Sequence, residues 1–121
     1  MKITKWIPTT DLMMLRRMGK LIEEISELSA VASRIIIQGI DEIDPSTGRV
    51  NKDRLIDEIA DVVAQCETTV EVLKLPLHRI VDRIAVKKGY MREWEAMFEN
   101  PVPPTEELPS ENEIDDATIH G

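Results

Sequence analysis

The sequence predicts an all-α fold: an antiparallel helical bundle of three main helices per chain, completed as a four-helix core by oligomerisation. Three observations carry this expectation. The 121 residues are 42% apolar but only 3% aromatic, so the core must be built from Leu, Ile, Val, Met and Ala, which suits helices better than a β-sandwich. Apolar residues recur at helical spacing over three long stretches. One eight-residue phrase is also written twice. Leu21-Ile22-Glu23-Glu24-Ile25-Ser26-Glu27-Leu28 returns 34 residues on as Leu55-Ile56-Asp57-Glu58-Ile59-Ala60-Asp61-Val62.

The elements follow in order. Residues 1–8 form a short lead in which Trp6 is expected to pack rather than stack on a base. Thr9, Thr10 and Asp11 offer helix-capping oxygens, and the spacing of Leu15, Met18, Ile22, Ile25, Leu28, Ala32 and Ile35 predicts a first helix from about Asp11 to Gln38, roughly 40 Å long. Gly19 interrupts the pattern without ending it; Gly39 is the stop. Residues 40–50, with Asp44-Pro45 and Gly48, read as loop and turn. Asn51 is placed to cap a second helix that runs to about Lys74, where Leu75-Pro76 breaks it. A third helix, from about Leu77 to Phe98, carries Leu77, Ile80, Ile84, Met91 and Phe98 on one side. Residues 1–99 thus make one helical domain. Residues 100–121, with Pro101, Pro103, Pro104 and Pro109 among acidic residues, read as an acidic, Pro-rich, disordered tail. A helical-repeat solenoid of the same period is set aside, because there are only two copies and each is one long helix rather than a helix pair.

Charge and cysteine usage narrow the partners. The net charge of −8 is concentrated in the tail: residues 100–121 hold six acidic residues and no Lys or Arg, leaving 17 acidic against 15 basic in the body. No basic stripe suggests a nucleic-acid partner. The single Cys66 falls on the apolar stripe of the second helix and is expected to be a buried free thiol. With no disulfide possible within one chain, a reducing, cytoplasmic setting is expected. Neither a signal peptide nor a membrane span is expected, since no charged-then-apolar leader and no apolar run near 18 residues occurs. Met13, Met14 and Met18 read as core or subunit interface, and His78 and His120 as solvated.

The repeated phrase carries the chemistry. Leu21, Ile25, Leu28, Ala32 and Ile35 form one apolar stripe; Leu55, Ile59, Val62, Cys66, Val70 and Leu73 form the other. Glu24 and Glu27 fall on the edge of the first, roughly 60° and 120° from its centre, and Glu58 and Asp61 take the same places on the second. Antiparallel packing of the stripes brings four carboxylates to the rim of one helix pair. Such a cluster repels itself unless a cation sits in it. Acids on a wet helix face are common, and Lys20 can pair with Glu24 at i,i+4. A merely solvated face, however, has no reason to hold its acids at the boundary of the buried one in both copies. All the candidate ligands are oxygens, with no His or thiolate beside them, which points to a hard divalent ion, Mg²⁺ or Mn²⁺.

Glu23-Glu24-x-x-Glu27 followed by Glu58-x-x-Asp61 resembles the EExxE…ExxD signature of the MazG-like all-α nucleoside triphosphate pyrophosphohydrolases, over about residues 10–98. The resemblance implies that Glu24, Glu27, Glu58 and Asp61 bind Mg²⁺. It further implies that a nucleoside triphosphate is hydrolysed between its α- and β-phosphates, giving the monophosphate and pyrophosphate. Glu23, or a cluster acid not fully engaged by metal, would then take the proton from the attacking water. Family members often end the third helix with a basic residue followed by Asn, then Arg and Trp. Here Lys87-Lys88-Gly89 precedes Arg92 and Trp94, with Gly89 where Asn is common, so no Asn contact carries over. Lys88, in line with Leu77 and Ile84, is either a snorkelling lysine or a phosphate ligand. Lys20, Lys87, Lys88 and Arg92 are the candidate substrate-binding cations.

A homo-oligomer, dimer or tetramer, is expected because Ile22, Ser29 and Ile36 extend the first stripe sideways beyond what one chain can cover. Two alternatives remain beside the enzyme: a non-catalytic helical dimerisation or adaptor module, and, within the enzyme class, a dUTP- or dCTP-preferring or phosphoribosyl-ATP pyrophosphohydrolase.

Overall fold

A computed structural model describes residues 5–99 of the chain. They hold three helices, α1 (Leu12–Gln38), α2 (Asn51–Val72) and α3 (Leu77–Glu99), with a short antiparallel hairpin, β1 (Ile43–Asp44) and β2 (Arg49–Val50), between the first two. The all-α class holds, with this hairpin added in the stretch expected to be only loop. The expectations for the acidic tail, including His120, lie outside the described residues. None of the described helices is long and apolar enough to cross a membrane.

The chain falls into two units that divide after Leu77. In the first, α1 and α2 pack antiparallel: Arg17 near the start of α1 meets Gln65 late in α2, and Gln38 at the end of α1 meets Asn51 at the start of α2. α1 starts where Asp11 accepts a hydrogen bond from the Met13 amide, and stops at Gly39, whose φ of 100° is closed to most side chains. Its amide donates back to the Ile35 carbonyl.

The start of α2 departs from expectation. Asn51 is the first helical residue rather than the cap, and it is fully buried. Its Nδ2 donates to Gln38 Oε1 and to the Gly39 carbonyl, both at 3.0 Å. Two of the free amides of α2's first turn are met by the loop, since Asn51 N donates to the Glu42 carbonyl and Lys52 N to that of Ile40. A side-chain cap is unnecessary when loop carbonyls do this work. The hairpin makes this possible by turning tightly at Asp44, which accepts from the amide and hydroxyl of Ser46 at 3.0 and 2.9 Å. Buried Asp44 also pairs with Arg34 of α1 (3.6 Å) and Arg54 of α2 (3.4 Å), tying hairpin and both helices together.

The seam between α1 and α2 is rotated from the predicted stripes. On α1 the buried and half-buried row is Arg17, Leu21, Glu24, Leu28, Val31, Ile35 and Gln38; on α2 it is Asn51, Leu55, Glu58, Val62, Gln65 and Thr69. Both rows step alternately by three and four, the spacing of a knobs-into-holes seam. Ile25, Ala32, Ile59 and Cys66, predicted to be buried, are exposed. The apolar surface of each helix is wider than one contact, and the pair uses the flank that carries the acids. Ile22, Ile25, Ile36, Ile56, Ile59 and Val63 are left on the other flank. Trp6, expected to pack, is 91% exposed in the single chain.

Among the described residues, the second unit holds α3 only. None of its described residues is buried. Trp94 and Phe98 stack edge to face with ring centroids 4.9 Å apart.

Candidate metal centre

The repeated phrase places Glu24 and Glu58 at equivalent points in the middle of the seam. Each is flanked by apolar residues of its own row, Leu21 and Leu28 on α1, Leu55 and Val62 on α2, so neither carboxylate is free to stay in water. Glu24 is 8% exposed and Glu58 is half-buried. Glu24 Oε1 lies 3.4 Å from the Lys20 ammonium. Glu24 Oε2 and Glu58 Oε2 are buried with no hydrogen-bond partner. Leaving charged oxygens in this state is expensive, at several kcal/mol per ion in general.

Glu27 completes the group. It lies one turn beyond Glu24, on the flank about 80° from the centre of the seam, and is exposed. One oxygen from each of Glu24, Glu27 and Glu58 lies within 4.8 Å of the others. Two oxygens that ligate one Mg²⁺ at about 2.1 Å stand no more than about 4.2 Å apart, so small side-chain shifts suffice to place all three on one ion. The donor set and the two orphaned oxygens fit a hard divalent cation.

Asp61 was expected as the fourth ligand, and the structure does not bring it in. It occupies the position on α2 that matches Glu27 on α1, but it is exposed and outside the group. The reason is reach. From a flank position, Glu27 has one methylene more than Asp61 with which to return to the seam. Glu23 is exposed and held to Lys20 at 3.3 Å rather than turned into the cluster. The Lys20 ammonium is held above its usual pKa, first by the hydrogen bond and charge of Glu23 and then by Glu24. Lys87, Lys88 and Arg92 are exposed on α3, in the other unit; Lys88 and Arg92 line a shallow depression there with Met91 and Glu95.

Sequence reasoning named Lys20 but missed the basic groove that it shares with Arg16 and Arg17. Leu12, Met13, Arg16, Arg17, Lys20 and Val72 line it. The signal was present: Lys20 follows Arg17 by three residues and Arg16 by four, directly before the first copy of the phrase.

No family model, no curated protein and no solved structure matches the chain.

Proposed function

We propose that the chain is a Mg²⁺-dependent nucleoside triphosphate pyrophosphohydrolase of the MazG-like kind, with Glu24, Glu27 and Glu58 as the core of its metal site. The observation that carries this reading is the pair of buried carboxylate oxygens, one on Glu24 and one on Glu58, that have no hydrogen-bond partner. Two buried carboxylates, each with an orphaned oxygen, call for a cation, and an oxygen of each lies within 4.8 Å of the other and of a third carboxylate, Glu27. Mn²⁺ satisfies the same oxygen donors. When bound, such an ion neutralises phosphate oxygens and acidifies a water.

The chain's own residues supply the rest. Glu24 and Glu58 sit within the packed row that joins the two helices, which in this reading holds them in place as the substrate arrives. Glu27, exposed on the flank, is free to swing between the site and solvent. Lys20 touches the cluster and presents its ammonium to any phosphate lying along α1. In this reading Asp61, solvated and outside the carboxylate group, takes the proton from the attacking water. Glu23, paired with Lys20, sets the position of that lysine. Lys87, Lys88 and Arg92, all exposed on α3, remain candidate phosphate ligands by the resemblance alone. Base and sugar choice, dUTP, dCTP or phosphoribosyl-ATP included, depends on contacts beyond the carboxylates.

Assembly belongs to the same reading. The apolar flank bearing Ile22, Ile25, Ile36, Ile56, Ile59 and Val63 lies opposite the flank of Glu27 and Asp61, so a second copy can cover it and leave the acids open. A dimer or tetramer follows. That flank also suits the rival reading, a helical dimerisation module, but a dimerisation module has no use for two orphaned carboxylates in its seam. The decisive assay is pyrophosphate release across the common ribo- and deoxyribonucleoside triphosphates with and without Mg²⁺. Turnover with at least one of them supports the reading, and none with any of them removes it.

A further inference from the structure

We infer that the groove lined by Leu12, Met13, Arg16, Arg17, Lys20 and Val72 is a polyphosphate subsite that receives the terminal two phosphates of the substrate. Which bond is broken rests on the pyrophosphohydrolase reading; the binding of a condensed phosphate does not. Three cations line one groove, and among the described residues neither Arg16 nor Arg17 pairs with any carboxylate. Arg17 is half-buried and its guanidinium is fixed by a 3.0 Å hydrogen bond to the neutral amide of Gln65. A cation held in place by a neutral partner keeps its full charge for a ligand.

The plainer explanation is that these cations serve the end of α2, where helix carbonyls favour positive charge. The backbone already does that work. The carbonyls of Thr69, Val70 and Glu71 accept from the amides of Leu73, Leu75 and Lys74. Nor do the cations answer acids at the start of α1: its first turn has none, and the carboxylate of the Asp11 cap accepts from the Met13 amide instead. Arg16 and Arg17 are therefore left without an ion-pair partner among the described residues, beside the apolar side chains of Leu12, Met13 and Val72.

Lys20 links groove and cluster. It lines the groove and also lies 3.3 and 3.4 Å from Glu23 and Glu24. Arg16 stands two helical turns before Glu24, about 12 Å along the axis, a span that an extended triphosphate and a long arginine arm together cover. The arrangement places the scissile phosphate at the carboxylates and the leaving pyrophosphate between Arg16, Arg17 and Lys20.

The test is calorimetric titration of the full chain with inorganic pyrophosphate, with and without Mg²⁺, alongside turnover. Wild type should bind pyrophosphate, and Arg16→Gln should weaken it about tenfold or more, as loss of a charge-assisted contact does. Arg16 is exposed, so its replacement leaves the helix seam intact. Lys52→Gln, an exposed cation at the far end of α2, should leave affinity unchanged. No binding of pyrophosphate, or equal weakening by Arg16→Gln and Lys52→Gln, would overturn the inference. Turnover whose pyrophosphate inhibition and KM are untouched by Arg16→Gln would also overturn it while leaving the enzyme reading standing. Arg16-dependent binding without turnover of any nucleoside triphosphate would sustain the groove and remove the enzyme reading.

Discussion

Glu24 and Glu58 meet across the α1–α2 seam at equivalent positions of a repeated phrase, and each keeps one buried carboxylate oxygen without a partner. Carboxylates in the row that joins two helices cost stability in the empty protein. The cost is explained if the pair is kept for a cation.

The contrast between Glu58 and Asp61 gives a first prediction. Glu58 is half-buried with an orphaned oxygen, whereas Asp61, one turn on, is solvated. Asp61→Asn should therefore weaken Mg²⁺ binding less than Glu58→Gln does, while still lowering turnover if Asp61 takes the proton. Mg²⁺ titration of both variants by calorimetry checks this. Equal loss of affinity would mean that Asp61 swings onto the ion.

Asp44 sets a pH dependence. Its carboxyl is held below the usual 3.8, first by the hydrogen bond from the Ser46 amide, with the Ser46 hydroxyl, Arg34 and Arg54 adding to it against the effect of burial. A folded-state pKa below the unfolded one contributes stability that is present above the unfolded value and is lost as pH falls through the folded one. Resistance to unfolding should thus drop as pH falls below about 4. Asp44→Asn should be less stable at neutral pH and should lose part of that acid dependence, as read by urea unfolding across pH. An unchanged pH profile in the variant would remove Asp44 as the source.

Asn51 is the third test. Replacing it with Ala strips the donors from Gln38 Oε1 and the Gly39 carbonyl, which should cost about 1–3 kcal/mol in chemical denaturation. A change of only a few tenths would show that water takes over both acceptors.

The exposed apolar flank makes the fourth. Ile59 is 47% exposed in the single chain, so Ile59→Glu should leave helix content intact yet shift the protein from dimer or tetramer to monomer by light scattering. A wild type that is already monomeric at micromolar concentration would contradict the assembly.

Much of this was legible in the sequence, for identifiable reasons. Asp11, Gly39 and Pro76 act locally, through capping, a positive φ and a missing amide, so both ends of α1 and the close of α2 could be read directly. The duplicated phrase located Glu24, Glu27 and Glu58 because helical spacing converts repetition into matched angles. Rotation of the seam could not be read. Leu21, Leu28 and Ile35 belong to either of two adjacent rows, one continued by Glu24 and Val31 and the other by Ile25 and Ala32. Hydrophobicity alone favours the second row, and so it misplaced Ile25, Ile59 and Cys66. The clamp of Asp44 on Arg34 and Arg54, and the inward turn of Asn51, depend on contacts between residues ten or more apart that no periodicity encodes.

The most direct test of the metal site is thermal unfolding of wild type and Glu58→Gln, with and without Mg²⁺, beside pyrophosphate release. Removing one charge relieves repulsion in the empty seam, so the variant should melt at the same temperature or higher without metal. Mg²⁺ should raise the wild-type Tm by linkage and raise that of the variant less, and pyrophosphate release should be abolished. Glu67→Gln, exposed on the same helix outside the repeated phrase, should behave as wild type. Equal, small effects at Glu58 and Glu67, with Mg²⁺ shifting neither differently from wild type, would contradict the metal site and the activity built on it.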